Sequence, residues 1–327
     1  MKKILIFRHA SLGDFIVGIP AIKIIKKRFP NYKIYCLMNR QTKQGAVNPN
    51  TILNKNKLIN KFIYIDEKDT SFIGLIKLII KLKKYKFSNF FYLNQTENVS
   101  KFIILRNLLF FSFCKIKKMR GFNLLIYKPN YMEGNESFHL AKRVDTNIKL
   151  EAVHKAINSS YKINKHSQNL TLKKFLPKKN IKRFITISHG QRNSVKDWGL
   201  ENWKVLLQSI TYDYPSLSII IVGTKVEYQR AKKLQKIKST IINLCGKSNI
   251  QELIEIIHKS KFHISHDDGT MHVASMFNKK SIAIFSNYLE RGRWFPTNSN
   301  SIVFYPKISI KKTSPDLILK KFKEKFF

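Results

Sequence analysis

The stretch "KFHISHDDGTMHVASMFNKKSIAIFS" (261–286) contains a strand, a tight polar turn, a helix and a second strand in succession. "KFHIS" (261–265) is a short apolar run that stops at His266-Asp267-Asp268-Gly269. A helical pattern follows over 270–278, beginning at Thr270 or Met271, and "SIAIFS" (281–286) resumes as an apolar strand. This order is that of a βαβ unit with parallel strands. The turn has three readings: a metal site, a phosphate cradle or a polar cap. A metal would recruit His263, His266, Asp267, Asp268 and His272, but a strand points His263 and His266 to opposite faces, and no Cys lies nearby. No metal is expected. A phosphate suits the position better, because a helix N-terminus at the carboxyl edge of a sheet offers unpaired N–H groups and the positive end of a dipole. Gly269 would allow a pyrophosphate to approach closely. Asp268 as a plain helix cap is compatible with that reading.

Working outward, the same alternation fills the second half of the chain. Strands are expected at "RFITIS" (183–188), "LSIIIVG" (217–223) and "IINLC" (241–245), and helices at 200–212, 225–237 and 250–259. "SPDLILKKFKEKFF" (314–327) reads as a closing helix capped by Ser314. The first half follows the same plan. "KILIFR" (3–8) leads to a helix at 20–29 with Pro20 in its first turn. "KIYCLM" (33–38), "KFIYID" (61–66), a helix at 72–85 and "FSNFFYL" (87–93) follow. Residues 110–150 yield only a helix near 137–149. "KHSQNLTLKKFLPKKN" (165–180) lacks periodicity and reads as a linker. The expected organisation is α/β, with two doubly wound domains at 1–165 and 181–312, a linker at 166–180 and a closing helix at 313–327.

The chain has 327 residues, 43% of them hydrophobic, which is enough for such cores. No apolar run reaches the roughly 18 residues of a membrane span. Ile4–Phe7 is too short for the core of a signal peptide, so the expected location is cytoplasmic. The odd, scattered Cys36, Cys114 and Cys245 point to buried thiols rather than a disulfide framework or a zinc site. The net charge of +41 has two readings. One is compositional drift, because Lys, Asn and Ile are all favoured by AT-rich coding. The other reading is an anionic partner, and a membrane surface fits it better than nucleic acid, because Arg, the residue that reads bases, is scarce beside Lys. No nucleic-acid partner is expected.

A second glycine turn, "HASLGDF" (9–15), follows the first strand and places Ser11, Gly13 and Asp14 at the rim of the N-terminal sheet. It is neither a Walker loop nor the Rossmann glycine triplet. Spacing alone leaves Asp14 open between a helix N-cap and a functional carboxylate.

"SLGDFIVGIPAI" (11–22) and "DDGTMHVA" (267–274) together resemble glycosyltransferase family 9, the lipopolysaccharide core heptosyltransferases. So do "KDWGLENWKVL" (196–206), "VGTKVEYQRAKKL" (222–234) and "FSNYLERGRWFP" (285–296), which run in the family's order across nearly the whole chain. The resemblance implies a GT-B fold of two facing Rossmann-like domains. It implies Asp14 as general base on the acceptor hydroxyl, with Ser11 and Gly13 beside it. It implies donor binding by Lys196, Glu227, Asp267, Asp268, Gly269, Thr270 and His272. Where the family often carries Thr pairs ahead of the lysine, this chain has Gln191 and Arg192, and Arg192 offers a guanidinium to a phosphate instead. Asp268 stands where the family usually has Ser or Thr.

The reaction so implied is inverting, metal-independent sugar transfer by a monomer with no cofactor. The implied donor is a nucleotide-diphosphate sugar, ADP-heptose by resemblance. The implied acceptor is an anionic core glycolipid at the inner membrane face, which would make the protein peripheral there and give the Lys clusters at 77–86 and 115–120 a purpose. A nucleotide-sugar 2-epimerase shares the fold but not these motifs. A basic nucleic-acid-binding protein rests on charge alone, and a non-catalytic homologue would follow if Asp14 lay away from the substrates.

Overall fold

The computed structural model describes residues 1–40, 49, 58–66, 69, 71–94, 100–122, 129–158, 161–176, 183–190 and 193–326. The chain divides into two units, Met1–Ala156 and Ile157–Phe327. In the first, β1 (Lys3–Phe7), β2 (Lys33–Asn39), β3 (Lys61–Ile65), β4 (Asn89–Tyr92) and β5 (Lys118–Arg120) form a parallel sheet ordered β3-β2-β1-β4-β5. Its helices are α1 (Leu12–Arg28), α2 (Phe72–Lys84), α3 (Lys101–Phe113), α4 (Glu136–Lys142) and α5 (Leu150–Asn158). The central strands β1 and β4 are apolar and buried because helices cover both faces of such a sheet.

The second unit holds β6 (Phe184–Ser188), β7 (Ser218–Ile221), β8 (Ile241–Asn243), β9 (His263–His266), β10 (Ser281–Ile284) and β11 (Ser301–Phe304), again all parallel, ordered β11-β10-β9-β6-β7-β8. Counted from its own first strand this is the Rossmann order, and the direction of winding reverses between β6 and β9. The helices are α6 (Lys165–Phe175), α7 (Leu200–Asp213), α8 (Tyr228–Gln235), α9 (Ile250–Lys259), α10 (Gly269–Ser275) and α11 (Pro315–Phe326). A core of Ile187, Trp198, Trp203, Ile221, Ile264, Ile284 and Phe322 joins α7 and α11 to one face of the sheet. Cys36, Cys114 and Cys245 are buried free thiols.

Four sequence expectations are corrected. The first helix begins at Leu12, not near Pro20, because Asp14 closes a capping box on Ser11, and Pro20 lies in the buried helix interior. Residues 101–113 and 118–120, where the sequence pattern yields no element, are α3 and β5. In α3, paired apolar residues such as Ile103-Ile104 and Phe110-Phe111 hide any single face. The helix read at 137–149 is two helices, α4 and α5. The linker read at 166–180 is helical as far as Phe175, while 177–182 lie outside the described residues.

This last segment lacks an apolar period because its buried contacts are polar. The Gln168 side chain donates to the Glu255 carbonyl at 2.9 Å, and the Thr171 hydroxyl donates to Glu255 Oε2 at 2.6 Å. Leu172 and Phe175 add apolar contacts to Val222, Leu244 and Ile256. α6 thus belongs to the second unit, which moves the division from 165 to 156. Glu255→Ala strips the buried Thr171 hydroxyl of its acceptor. The expected cost is about 2–3 kcal/mol, read from chemical denaturation, and an unchanged midpoint would contradict this packing.

Candidate functional site

The carboxyl ends of β6 and β9, where winding reverses, gather most of the donor candidates. β6 ends at Ser188 and β9 at His266, and Asp268 then caps α10. Asp268 Oδ1 accepts from the Thr270 N–H at 2.8 Å, the Met271 N–H at 3.1 Å and the Thr270 hydroxyl at 2.6 Å. Its Oδ2 accepts from the Ser188 hydroxyl at 2.6 Å. Burial raises the Asp268 carboxyl to about 6, against the opposing effect of these hydrogen bonds. The cap reading of Asp268 therefore holds, and it modifies the cradle: the N–H groups of Thr270 and Met271 are already occupied.

A cation lies beside this turn. Lys196 ends a short 3-10 turn, Ser194–Lys196, started by the Asn193 side chain. Its ammonium lies 2.6 Å from Asp267 Oδ2, with both side chains largely buried. Two residues 71 apart in sequence are thus joined at one sheet edge. Glu227 approaches the same edge from the end of β7. Its carboxylate accepts from the Thr224 N–H at 2.5 Å and from the Thr224 hydroxyl. A Cβ on Gly190 would lie 2.2 Å from Glu227 Cγ, so only glycine admits this packing. His272 is buried on α10, its ring edge-on to Trp294. Gln191 and Arg192 lie outside the described residues.

The histidines and carboxylates weighed as a metal set are dispersed. His263 bonds the Thr186 hydroxyl at 2.9 Å through Nδ1 and the Thr270 hydroxyl at 3.0 Å through Nε2. His266 Nε2 accepts from the Trp198 N–H at 3.2 Å, so Nδ1 carries the proton and donates to the Gly190 carbonyl at 3.4 Å. Among the described residues no three His, Cys, Asp or Glu side chains gather to hold an ion.

Sequence reasoning missed a second cluster beside the lysine. Arg230 grips Asp197 with two hydrogen bonds of 2.6 and 2.9 Å. Burial raises Asp197, but Arg230 and the Gly199 N–H more than offset it and hold the carboxyl below its usual value. His189 is fully buried, and burial, reinforced by Arg230 and His266, lowers it to about 3. The only signal was position, since Asp197 follows Lys196 and Arg230 falls in the helix after Glu227.

In the first unit, Arg8 fixes the turn that carries Asp14. The fully buried guanidinium donates to the Leu93 carbonyl at 2.5 Å and to the Asp14 carbonyl. The Asn94 side chain accepts the His9 N–H, and Asn39 Oδ1 accepts the Ala10 N–H at 3.2 Å. A Cβ on Gly18 would sit 2.9 Å from Arg8 Nε, so glycine makes the room. Asp14 is not the N-cap. It occupies the third helical position, where Oδ2 accepts from the Ser11 hydroxyl at 2.7 Å and the Ser11 N–H at 3.3 Å. The carboxylate is part-exposed, whereas Gly13 is buried.

Two units, each a doubly wound parallel sheet, make this an α/β protein of the GT-B fold. The family model "Glycosyltransferase family 9 (heptosyltransferase)" matches residues 117–317, and the chain belongs to that family. "Lipopolysaccharide heptosyltransferase 1" of Campylobacter coli is 25% identical over 312 residues, covering 92% of this chain and 89% of that one. Among solved structures, a family 9 glycosyl transferase from Veillonella parvula superposes with a TM-score of 0.76 at 14% identity, over 99% of this chain and 97% of that one. E. coli heptosyltransferase WaaC with ADP gives 0.69 at 14% identity, over 99% and 100%.

The buried histidines give a pH signature. His189, His263 and His266, lowered by burial to about 3, 3 and 4 from 6.5, stay neutral in the fold but charge freely in the unfolded chain. Their stabilisation is present above pH 6.5 and is lost as pH falls towards those values. Asp268 acts oppositely: raised from 3.8 to about 6, it contributes stability below 3.8 that is lost as pH rises through 6. His9, lowered by burial to about 4, acts in the same sense, so four groups oppose one and the melting temperature is expected to fall from about pH 6.5 to about pH 4. A flat profile over that window would contradict this burial.

Proposed function

We propose that the chain transfers a sugar, with inversion and without a metal or cofactor, from a nucleotide diphosphate to a lipopolysaccharide core glycolipid. The observation that carries the reading is the Lys196–Asp267 pair at the β6/β9 edge. In Rossmann-type sheets that edge takes nucleotides. Asp267 holds the ammonium in place until a diphosphate arrives, and Lys196 then meets the charge that grows on the diphosphate as the glycosidic bond breaks. Glu227, beside Gly190 and Gly223, is suited to accept from ribose hydroxyls. An ADP-heptose donor is supported by family membership and by the E. coli relative solved with ADP.

The first unit supplies the base. The acceptor hydroxyl oxygen attacks the anomeric carbon from the face opposite the leaving diphosphate, and its proton passes to the Asp14 carboxylate. Arg8 holds the Asp14 backbone carbonyl, and the Ser11 hydroxyl donates to the carboxylate at the start of α1. The glycolipid acceptor is supported by the heptosyltransferase names of the relatives and by the excess of cationic charge. It implies work at the cytoplasmic face of a membrane. Among the described residues no helix is long and apolar enough to cross one.

The test is transfer from ADP-heptose to a core glycolipid, with EDTA present throughout. Wild-type protein is expected to turn over, and the product's anomeric configuration should be inverted by NMR. Asp14→Asn keeps size but cannot take the proton, so turnover should fall about 10²–10⁴-fold. Nucleotide affinity should barely change, because Lys196 and Glu227 are untouched. Loss of wild-type turnover in EDTA with rescue by a divalent ion would overturn the metal-free reading. Near wild-type turnover by Asp14→Asn would overturn the base.

A further inference from the structure

Two helices of the first unit leave apolar side chains uncovered. α2 buries Gly74, Leu78 and Leu82, yet Phe72, Ile73, Ile76 and Ile80 on its other side are 79, 65, 42 and 50% exposed. α3 buries Ile104 and Phe111, while Phe102, Leu105, Leu109 and Phe113, spaced three and four apart, are 73, 55, 52 and 62% exposed. Both helices bury their inner sides in the same cluster and touch each other, so their outer sides make one surface. Apolar patches of this extent are rare on monomeric proteins and mark an interaction site.

Charge says what covers it. Residues 71–94 and 100–122 contain no Asp or Glu but five and six basic residues respectively. Lys77, Lys81, Lys83, Lys84, Lys101 and Arg106 are exposed on these two helices. A second copy of the chain would bring lysines against lysines with no carboxylate here to compensate. An anionic lipid surface instead offers a phosphate to each cation and an acyl layer to each apolar side chain. Each helix has 13 residues, about 20 Å long, short of the roughly 30 Å of a bilayer core, so it lies in the interface rather than crossing it.

We propose that the outer face of α2 and α3 docks the protein on an anionic lipid bilayer, an inference that rests on the glycolipid-acceptor reading but uses none of the residues assigned to sugar transfer. The test is flotation of the full chain with vesicles of phosphatidylglycerol mixed into phosphatidylcholine, and with phosphatidylcholine alone. Binding is expected only to the anionic vesicles and should weaken with salt. Ile76→Glu combined with Leu109→Glu should lower partitioning on the order of hundredfold. Both positions are exposed, so the melting temperature should be that of the wild type. If that variant melts early, Ile73→Ser with Leu105→Ser replaces it. Failure of the wild type to float with anionic vesicles overturns the proposal, as does equal flotation by a folded variant. A dimer in solution that the variant splits would assign the face to a second copy and also overturn it. Transfer to a lipid-free acceptor sugar, unaffected by the variant, separates failure of this surface from failure of the site.

Discussion

Asp268 ties the two central strands of the second sheet to the helix that follows them. Its carboxylate takes the Ser188 hydroxyl from the end of β6 and two backbone N–H groups from α10, and Thr270 continues the chain of bonds to His263 on β9. A buried carboxylate survives there because four donors converge on it, and an unpaired one would be costly. With that knot closed, Asp267 is directed at Lys196, and His266 is left to hold the Trp198 and Gly190 backbone. The position of the lysine thus follows from a capping interaction one residue away from its partner.

Asp14 is held on the same principle. A backbone turn at the end of a parallel strand must satisfy its own polar groups. Here Asn39, Asn94 and Arg8 satisfy them, and the space for Arg8 is left by Gly18. In both units the candidate side chain stands on a turn locked from below by buried polar groups, which is what a group that must meet a substrate in one geometry requires.

The strands were legible because buried parallel strands are unbroken apolar runs: β1, β4, β6, β7 and β10 all lie within the stretches read from sequence. Where burial is polar or omnidirectional, the periodic signal vanishes. α6 hides because Gln168 and Thr171 do its packing, and α3 because its apolar residues face both inward and outward. The outward-facing apolar residues of α3 are those of the lipid-facing surface proposed above. Among the site residues, Asp267 and Asp268 were legible from the strand–turn–helix pattern and Lys196 only through the family resemblance, and the structure brings them together. The Arg230–Asp197 pair and buried His189 were not, because contacts between residues far apart in sequence leave no local pattern.

The central claim is that the donor's diphosphate is held at the β6/β9 edge by Lys196, released from Asp267 when the nucleotide binds. Calorimetric titration of ADP into the full chain, wild type against Lys196→Met, tests it most directly. Removing the cation should weaken ADP binding by about 1.5–3 kcal/mol, on the scale of one charge-assisted hydrogen bond. Equal ADP affinity in the two proteins, or no ADP binding by the wild type, would contradict the account.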